Sequence, residues 1–336
     1  MIGTTFTGDR FPNTQNGIRI TNSSSTVIDR NTISYNTLSG VLIAAGSNNV
    51  VGSTVANQGN RIVENGRGIL IADSTTKVAA ATTRSNVIAG NTISGSVGDG
   101  VTVMGSKTVG TVIGTSIVNG KLNGRANSIE SNFGFGVNVT SAAQQVGVQG
   151  NSIVDNTLGG ISLATGTNTG RAATTLTRAI LTYPSRGTPQ VMVTGTLTGV
   201  TAGQQYQVDV YSSLPENGNL ATLTGYQGQT YLGQGTITAQ TSGTLPFTIS
   251  VTSTGAQLGD VVTLNVTTLR TPAGTSSGFT TLARRITSTT APSLLGAMPA
   301  APAPLVPMAA SRSAVFAAMA VFSTNSGSTS SSRSRK

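Results

Sequence analysis

The chain reads as all-β: a solenoid of three-strand coils over residues 1–171, then a β-sandwich over 178–285, then a disordered tail over 286–336. Three observations lead there. The pattern Asn-x-Ile, followed eight or nine residues on by Gly-Val or Gly-Ile, recurs five times in the first half. Alternating apolar runs, separated by Gly and Pro, fill the region after it. Composition fits both parts: 9% of residues are charged, 4% are aromatic and 42 are Gly. Short strands with many turns need that mixture, and helical bundles do not.

The repeats are Asn31/Ile33 with Gly40-Val41, Asn60/Ile62 with Gly68-Ile69, Asn91/Ile93 with Gly100-Val101, Asn127/Ile129 with Gly136-Val137, and Asn151/Ile153 with Gly160-Ile161. A partial copy stands at Gly17-Ile18. The Asn-to-Asn steps of 29, 31, 36 and 24 residues are those of solenoid coils. One such repeat cannot bury its own apolar face and must stack on copies of itself.

Within each coil, Gly-Val-x-Ile alternates with period two, which points Val41 and Ile43, Ile69 and Ile71, Val101 and Val103, Val137 and Val139, and Ile161 and Leu163 inward. Asn-x-Ile supplies a second strand with its Ile inward. Val50-Val51-Gly52, Val87-Ile88 and Val112-Ile113-Gly114 supply a third. Three strands per turn make a triangular coil whose equivalent strands stack about 4.8 Å apart.

The asparagines have a mechanical reading. Coil corners can require a left-handed backbone, which Gly and Asn tolerate best. A second Asn follows the first by five residues at Asn36, Asn65, Asn132 and Asn156, with Ser96 as the exception. Amides stacked at one spacing can hydrogen-bond up the column. Asn31, Asn60, Asn91, Asn127 and Asn151, with this second set, are therefore predicted to be structural ladders.

These repeats resemble the right-handed parallel β-helix repeats of bacterial surface proteins, a broad group that includes the pectate-lyase-like and polygalacturonase-like enzymes. The resemblance covers about half of the chain. It implies a right-handed parallel β-helix and a secreted or cell-surface location. It implies no activity, because fold does not fix function.

Residues 172–177 read as a Thr/Ala-rich linker. Seven short runs follow: Ala179–Tyr183, Val191–Leu197, Tyr206–Tyr211, Thr230–Leu232, Thr236–Thr238, Phe247–Val251 and Val261–Val266. That many strands in about 100 residues predict an immunoglobulin-like β-sandwich. The run Gly225-Tyr-Gln-Gly-Gln-Thr-Tyr-Leu-Gly233, with Val193-Thr-Gly-Thr-Leu197 before it, resembles the sandwich domain that follows β-helix repeats in those surface proteins. The tail is Ala/Pro-rich at 297–310 and Ser-rich at 323–334.

Composition excludes some chemistry. The chain has no Cys and no His, so disulfides, thiol chemistry and the commonest zinc ligands are absent. No cofactor is expected. The net charge of +10 comes from scarce acids and a basic end at Arg333, Arg335 and Lys336. No stripe of Lys/Arg interleaved with aromatics appears, so nucleic acid is not an expected partner. The apolar run Ala314–Phe322 is too short to span a membrane. Met1-Ile-Gly-Thr-Thr-Phe is no signal peptide, and the first coil is incomplete. The expectation is therefore that coils upstream of Met1 are missing. The sequence does not set an oligomeric state.

The search for catalysis turns on the outer wall. The outward residue of each Gly-Val-x-Ile strand is Arg19, Leu42, Leu70, Thr102, Asn138 and Ser162, a stripe without a carboxylate. Hydrolysis of a glycoside needs two carboxylates at matched depth. Asp99-Gly100-Val101 resembles the Asn-x-Asp-Gly element of polygalacturonases, whose Asp is catalytic. The chain departs from that element. Val97-Gly98 stands where the Asn would be, the next coil has Phe135-Gly136, and the family's His has no counterpart. Asp before Gly is also a routine turn pair. Asp99 is the one catalytic candidate, against a prevailing structural reading. Glu64 and Asp155, three coils apart, read as solvated turn residues. Tyr35, Tyr211, Tyr226 and Tyr231 read as packing residues rather than a sugar platform.

The longest coil, 91–126, carries extra sequence at Thr115–Arg125. Insertions in solenoids emerge as loops, and loops carry function. Lys121 and Arg125 are the candidate ligand residues there, for a polysaccharide or cell-envelope glycan. Three functional readings follow: a structural or adhesive module, a carbohydrate-binding module without turnover, and a polysaccharide lyase or glycoside hydrolase. The first is favoured, and no catalysis is expected.

Overall fold

The three strand types predicted for each coil each form their own parallel sheet. In the computed structural model, the Gly-Val-x-Ile runs give Ile18–Thr21, Ser39–Ala44, Arg67–Ala72, Val101–Met104, Phe135–Thr140 and Gly159–Leu163, paired in that order. The Asn-x-Ile runs give Thr32–Ser34, Arg61–Val63, Thr92–Ser94, Ser128–Glu130 and Ser152–Val154. The third sheet takes Val27–Ile28, Val50–Gly52, Val87–Ala89, Val112–Val118 and Gly147–Gln149. The structure describes residues 1–73, 82–118, 121–183, 188–219, 221–222, 225–253, 255–269 and 274–288, and for 116–118 and 121–124 the backbone alone. The expectations for the tail beyond Ser288 lie outside them.

Register stacks like on like. Ile33, Ile62, Ile93, Ile129 and Ile153 are direct partners up one sheet. All five are buried, as are Val41, Ile43, Ile69, Ile71, Val101, Val103, Val137 and Val139, while Ile161 and Leu163 pack at the open end of the same core. Val51, Ile88 and Ile113 close the third side. Each buried Ile contributes about 1.5–3 kcal/mol of transfer free energy. The alternation decides the register, because a one-residue slip would turn every one of them outward.

The corners correct one expectation. None of the nine ladder asparagines has a positive φ. The left-handed residue is the one before it: Tyr35, Glu64, Gly95, Ser131 and Asp155 precede Asn36, Asn65, Ser96, Asn132 and Asn156. The same holds at Arg30, Gly90 and Gly150 before Asn31, Asn91 and Asn151. Asn is selected here for its amide and not for its backbone. Asn91 shows the full pattern: Asn60 N and Nδ2 donate to Asn91 Oδ1 at 3.0 and 2.9 Å, and Asn91 N and Nδ2 both donate to Asn127 Oδ1 at 3.0 Å. Asn91 Nδ2 also reaches Val51 O at 2.9 Å, so each amide ties its coil to both neighbours.

The C-terminal body is a second all-β unit with its own core. Ala173–Thr182, Gln190–Val200 and Gly243–Thr252 pair antiparallel, as do Thr230–Thr238, Gln205–Ser213 and Val261–Thr268. Arg284–Ser288 joins the two groups, parallel to Ala173–Thr182 and antiparallel to Val261–Thr268. Val191, Val193, Leu197, Val208, Val210, Leu264 and Val266 fill the space between. Three boundaries differ from expectation. Residues 173–177 are the first half of a strand and not a linker, because Leu176 alternates into this core. Thr230–Leu232 and Thr236–Thr238 are one strand, since its pairing with Gln205–Ser213 runs on past Gly233. Residues 286–288 belong to the last strand and not to the tail, anchored by buried Ile286.

Residues of both bodies fall in one compact unit, Met1–Ala291, and they meet through polar groups. Gln205–Ser213 and Val261–Thr268 turn one face to their own apolar core. The other face, with Gln207, Asp209, Tyr211, Asn265 and Thr267, is also fully buried. It covers the last coil. Asn265 Nδ2 donates to Val148 O at 2.8 Å, Val148 N donates to Ser276 Oγ at 2.8 Å, and Ile153 N donates to Gly228 O at 2.7 Å. Phe279 packs on the open end of the solenoid core against Gly160, where an added Cβ would sit 2.7 Å from the ring.

Candidate functional site

The outer wall of the Gly-Val sheet carries the predicted stripe in register: Arg19, Leu42, Leu70, Thr102, Asn138 and Ser162 are successive partners. Leu42 and Leu70, with Leu38, Arg67 and Val97 beside them, line a shallow depression of about 440 Å³. Asp99 lies at the edge of this wall and is buried. Its Oδ2 accepts from Thr102 Oγ1 at 2.9 Å and from Asn138 Nδ2 at 3.0 Å, and its Oδ1 accepts from Phe135 N at 2.9 Å. Both oxygens are thus used to staple one coil to the next.

The other acids and tyrosines are spread as the sequence implies. Glu64 pairs with Arg10 at 3.1 Å on the surface, and Arg10 lies over the Tyr35 ring at 4.6 Å. Tyr226 donates to Pro215 O at 2.6 Å, and Tyr231 donates to Gln234 Oε1 at 2.9 Å. Tyr211 is buried between the two bodies, where its oxygen accepts from Gly150 N at 3.0 Å. Among the described residues, no three of His, Cys, Asp and Glu lie together as a metal set. Also among them, no helix is long and apolar enough to cross a membrane.

The insertion is a hairpin rather than a loop. Val112–Val118 continues past the solenoid sheet and returns as Lys121–Gly124, pairing Thr115 with Gly124 and Val118 with Lys121. A loop was expected because insertions in solenoids emerge as loops. The backbone instead pairs with itself, which satisfies its N–H and C=O groups. The hairpin separates the two predicted ligand residues. Lys121 stands opposite Val118 at its far end, while Arg125 follows its base, about 13 Å along the strand at the usual rise.

Arg125 meets a different partner. A cleft of about 280 Å³ is lined by Arg125, Arg61, Asn57 and Thr92, with Gly59 and Gly90 as its floor. Arg61 is the outward residue of Arg61–Val63, in register with Thr32 and Thr92. Gly90 has φ +72, an added Cβ there would meet Ser53 O at 2.6 Å, and Gly90 N donates to Arg125 O at 3.1 Å. Both guanidiniums are exposed. The ion pairs among the described residues are Arg10–Glu64 and Arg30–Asp29, so no carboxylate neutralises either one.

Some residues of the cleft and of the ladders escaped sequence reading. Arg61 had a signal, as the one charged residue in a column that otherwise holds Thr32, Thr92, Ser128 and Ser152. A third ladder had one too, because Asn49 and Asn86 each precede a third-sheet strand. Thr26 N and Asn49 N donate to Asn49 Oδ1 and Asn86 Oδ1, both at 2.9 Å.

The architecture defines a parallel β-helix, and residues 3–122 match the family model described as a right handed beta helix region. That settles the hand of the coil. Two solved structures are similar. The Dettilon tailspike protein is 12% identical, with 72% of this chain and 64% of that one covered at a TM-score of 0.29. The enzymatically active domain of bacteriophage CBA120 tailspike protein 2 is 12% identical, with 80% of this chain and 52% of that one covered at a TM-score of 0.24. The chain spans less than two thirds of either. No curated protein matches it.

Proposed function

We propose that this chain is a structural or adhesive module of a bacterial cell-surface or secreted protein, a rod of β-helix coils closed by an immunoglobulin-like sandwich. One observation carries the reading. Asp99, the one acid that resembles a catalytic residue, is engaged in holding coils together, with both carboxylate oxygens bonded inside the wall. The continuous amide ladder from Asn31 to Asn151 adds ties between coils beyond their backbone pairing.

The test is incubation of the full chain with acidic and neutral polysaccharides, followed by assay for new reducing ends and unsaturated uronates. Neither product is expected. Either one, lost in Asp99→Asn, overturns the reading in favour of a lyase or hydrolase.

A second reading, carbohydrate binding without turnover, is supported by the Arg61/Arg125 cleft, where two cations without acid partners share one polar concavity. Retention of a polysaccharide without cleavage favours it.

A further inference from the structure

We infer that the cleft between Arg61 and Arg125 is a binding site for a single oxyanion carried on an acidic polysaccharide, a uronate carboxylate or a sulfate ester. The inference rests on the binding reading above and narrows it to a place and a chemistry. Two exposed arginines, two coils apart with the Thr92 coil between them, line the same cavity, one from the wall at Arg61 and one from the base of the hairpin at Arg125. Bringing two cations to one concavity costs Coulomb energy unless solvent or an anion sits between them. Among the described residues, no carboxylate does so. Asp29 lies one coil before the cleft, where Arg30 N bonds Gln58 O, and its side chain is held by Arg30 at 3.6 Å.

The remaining lining suits a sugar-borne anion. Thr92 is exposed on the wall beside Arg61, and Asn57 stands on the rim, so hydroxyls of a bound ring have donors and acceptors at hand. The amide of Asn60 is already committed to Ile28 O at 2.7 Å and Asn91 Oδ1 at 2.9 Å, so it holds the floor and does not contact a ligand. The cavity, about 280 Å³, lies just below the roughly 300 Å³ at which ligand pockets begin. It fits one charged residue of a polymer whose neighbours run over the wall. A planar guanidinium fork matches a carboxylate or sulfate edge in two parallel hydrogen bonds, which a lysine cannot reproduce.

The test is calorimetric titration of the full chain with an oligogalacturonate, a sulfated dextran oligomer and unmodified dextran. Arg61→Gln, Arg125→Gln and Arg178→Gln are titrated beside it, the last as an exposed cation on the C-terminal body. The expected result is binding of an acidic oligomer and not of dextran. Arg61→Gln and Arg125→Gln should each weaken it by at least about tenfold, at unchanged melting temperature, with Arg178→Gln like the parent. Which acidic oligomer binds tells carboxylate from sulfate. Equal weakening by Arg178→Gln, or no weakening at either cleft residue, overturns this site and leaves the binding reading in place. Failure of every oligomer, dextran included, overturns both.

Discussion

Gln227 of the C-terminal body stands where the next asparagine of the solenoid ladder would be. Its Oε1 accepts from Asn156 Nδ2 at 3.0 Å and from Asn156 N at 3.3 Å, and its Nε2 donates to Asn156 O at 2.9 Å. Asn132 makes the equivalent bonds to Asn156 at 2.9 and 3.2 Å. A side chain from another part of the fold thus finishes the column. Asn156 Nδ2 also donates to Ile129 O and Val154 O at 3.0 and 3.1 Å, so without Gln227 it is the buried Asn156 N–H that would be left unmet, at about 1–3 kcal/mol. Gln227→Ala is therefore expected to lower the melting temperature of the full chain by a few degrees. Gln205→Ala, exposed on the same body, should leave it unchanged. Scanning calorimetry decides, and an unchanged Gln227→Ala melt counts against the capping role.

The ladder also has an interruption. Ser96 takes the place of an asparagine in the column Asn36, Asn65, Asn132 and Asn156. Its own N–H still donates to Asn132 Oδ1 at 3.0 Å, but its buried hydroxyl has no partner. Gly40, Gly100 and Gly136 each look onto an Asn Nδ2, while Gly68, opposite Ser96, does not. Ser96→Asn is expected to stabilise the chain by about 1 kcal/mol, through new bonds toward Asn65 and the loss of an unmet hydroxyl. A lower denaturation midpoint would show that the column has shifted locally to suit serine.

Ile93 tests the inward face. It is fully buried and stacked between Ile62 and Ile129. Ile93→Asp places a charge with no partner in a dry core, at a cost above about 4 kcal/mol. Loss of the folded far-ultraviolet signal at room temperature, or a sharply lowered melt, is expected. Ile93→Val should cost only about 0.5–1.5 kcal/mol.

The solenoid was legible because its signals are local and repeated. An inward isoleucine at one spacing, five times over, leaves a single register, and Ile33 through Ile153 stack as the spacing requires. The corners were misread because sequence shows which residue recurs and not which φ it holds. Tyr35 and Glu64 are unpromising left-handed residues by type, and the coil imposes that backbone on them. The interface was invisible for a different reason. Gln207, Asp209 and Tyr211 alternate with Val208 and Val210, as a half-solvated strand would, yet both faces are buried because the solenoid's end covers the polar one. Arg61 and Arg125, 64 residues apart in sequence, meet only once the coil is closed.

Asp209 makes that buried polar face sensitive to pH. Its carboxyl is fully buried, Gln207 Nε2 donates to it at 2.6 Å, and Gly150 N of the solenoid lies 3.4 Å away. Desolvation outweighs these bonds and that of Tyr211, and pushes its pKa up from 3.8 to about 7. Asn265 faces it across the strand, and Tyr231 adds no cation, so nothing nearby offsets the burial. The sign follows from proton counting. Between the unfolded value and about 7, the folded chain holds a proton that the unfolded chain has lost, so stability falls as pH rises. The contribution is fully present below about pH 4, is lost up to about pH 7 and is flat beyond, on the order of 4 kcal/mol in all. Asp209→Asn keeps the shape and cannot ionise. Urea denaturation from pH 4 to pH 8 is expected to show the parent losing stability across that window relative to Asp209→Asn, with the variant the more stable of the two at pH 8. Parallel pH profiles for the two proteins would show instead that water reaches the carboxylate and that the junction between the bodies is open.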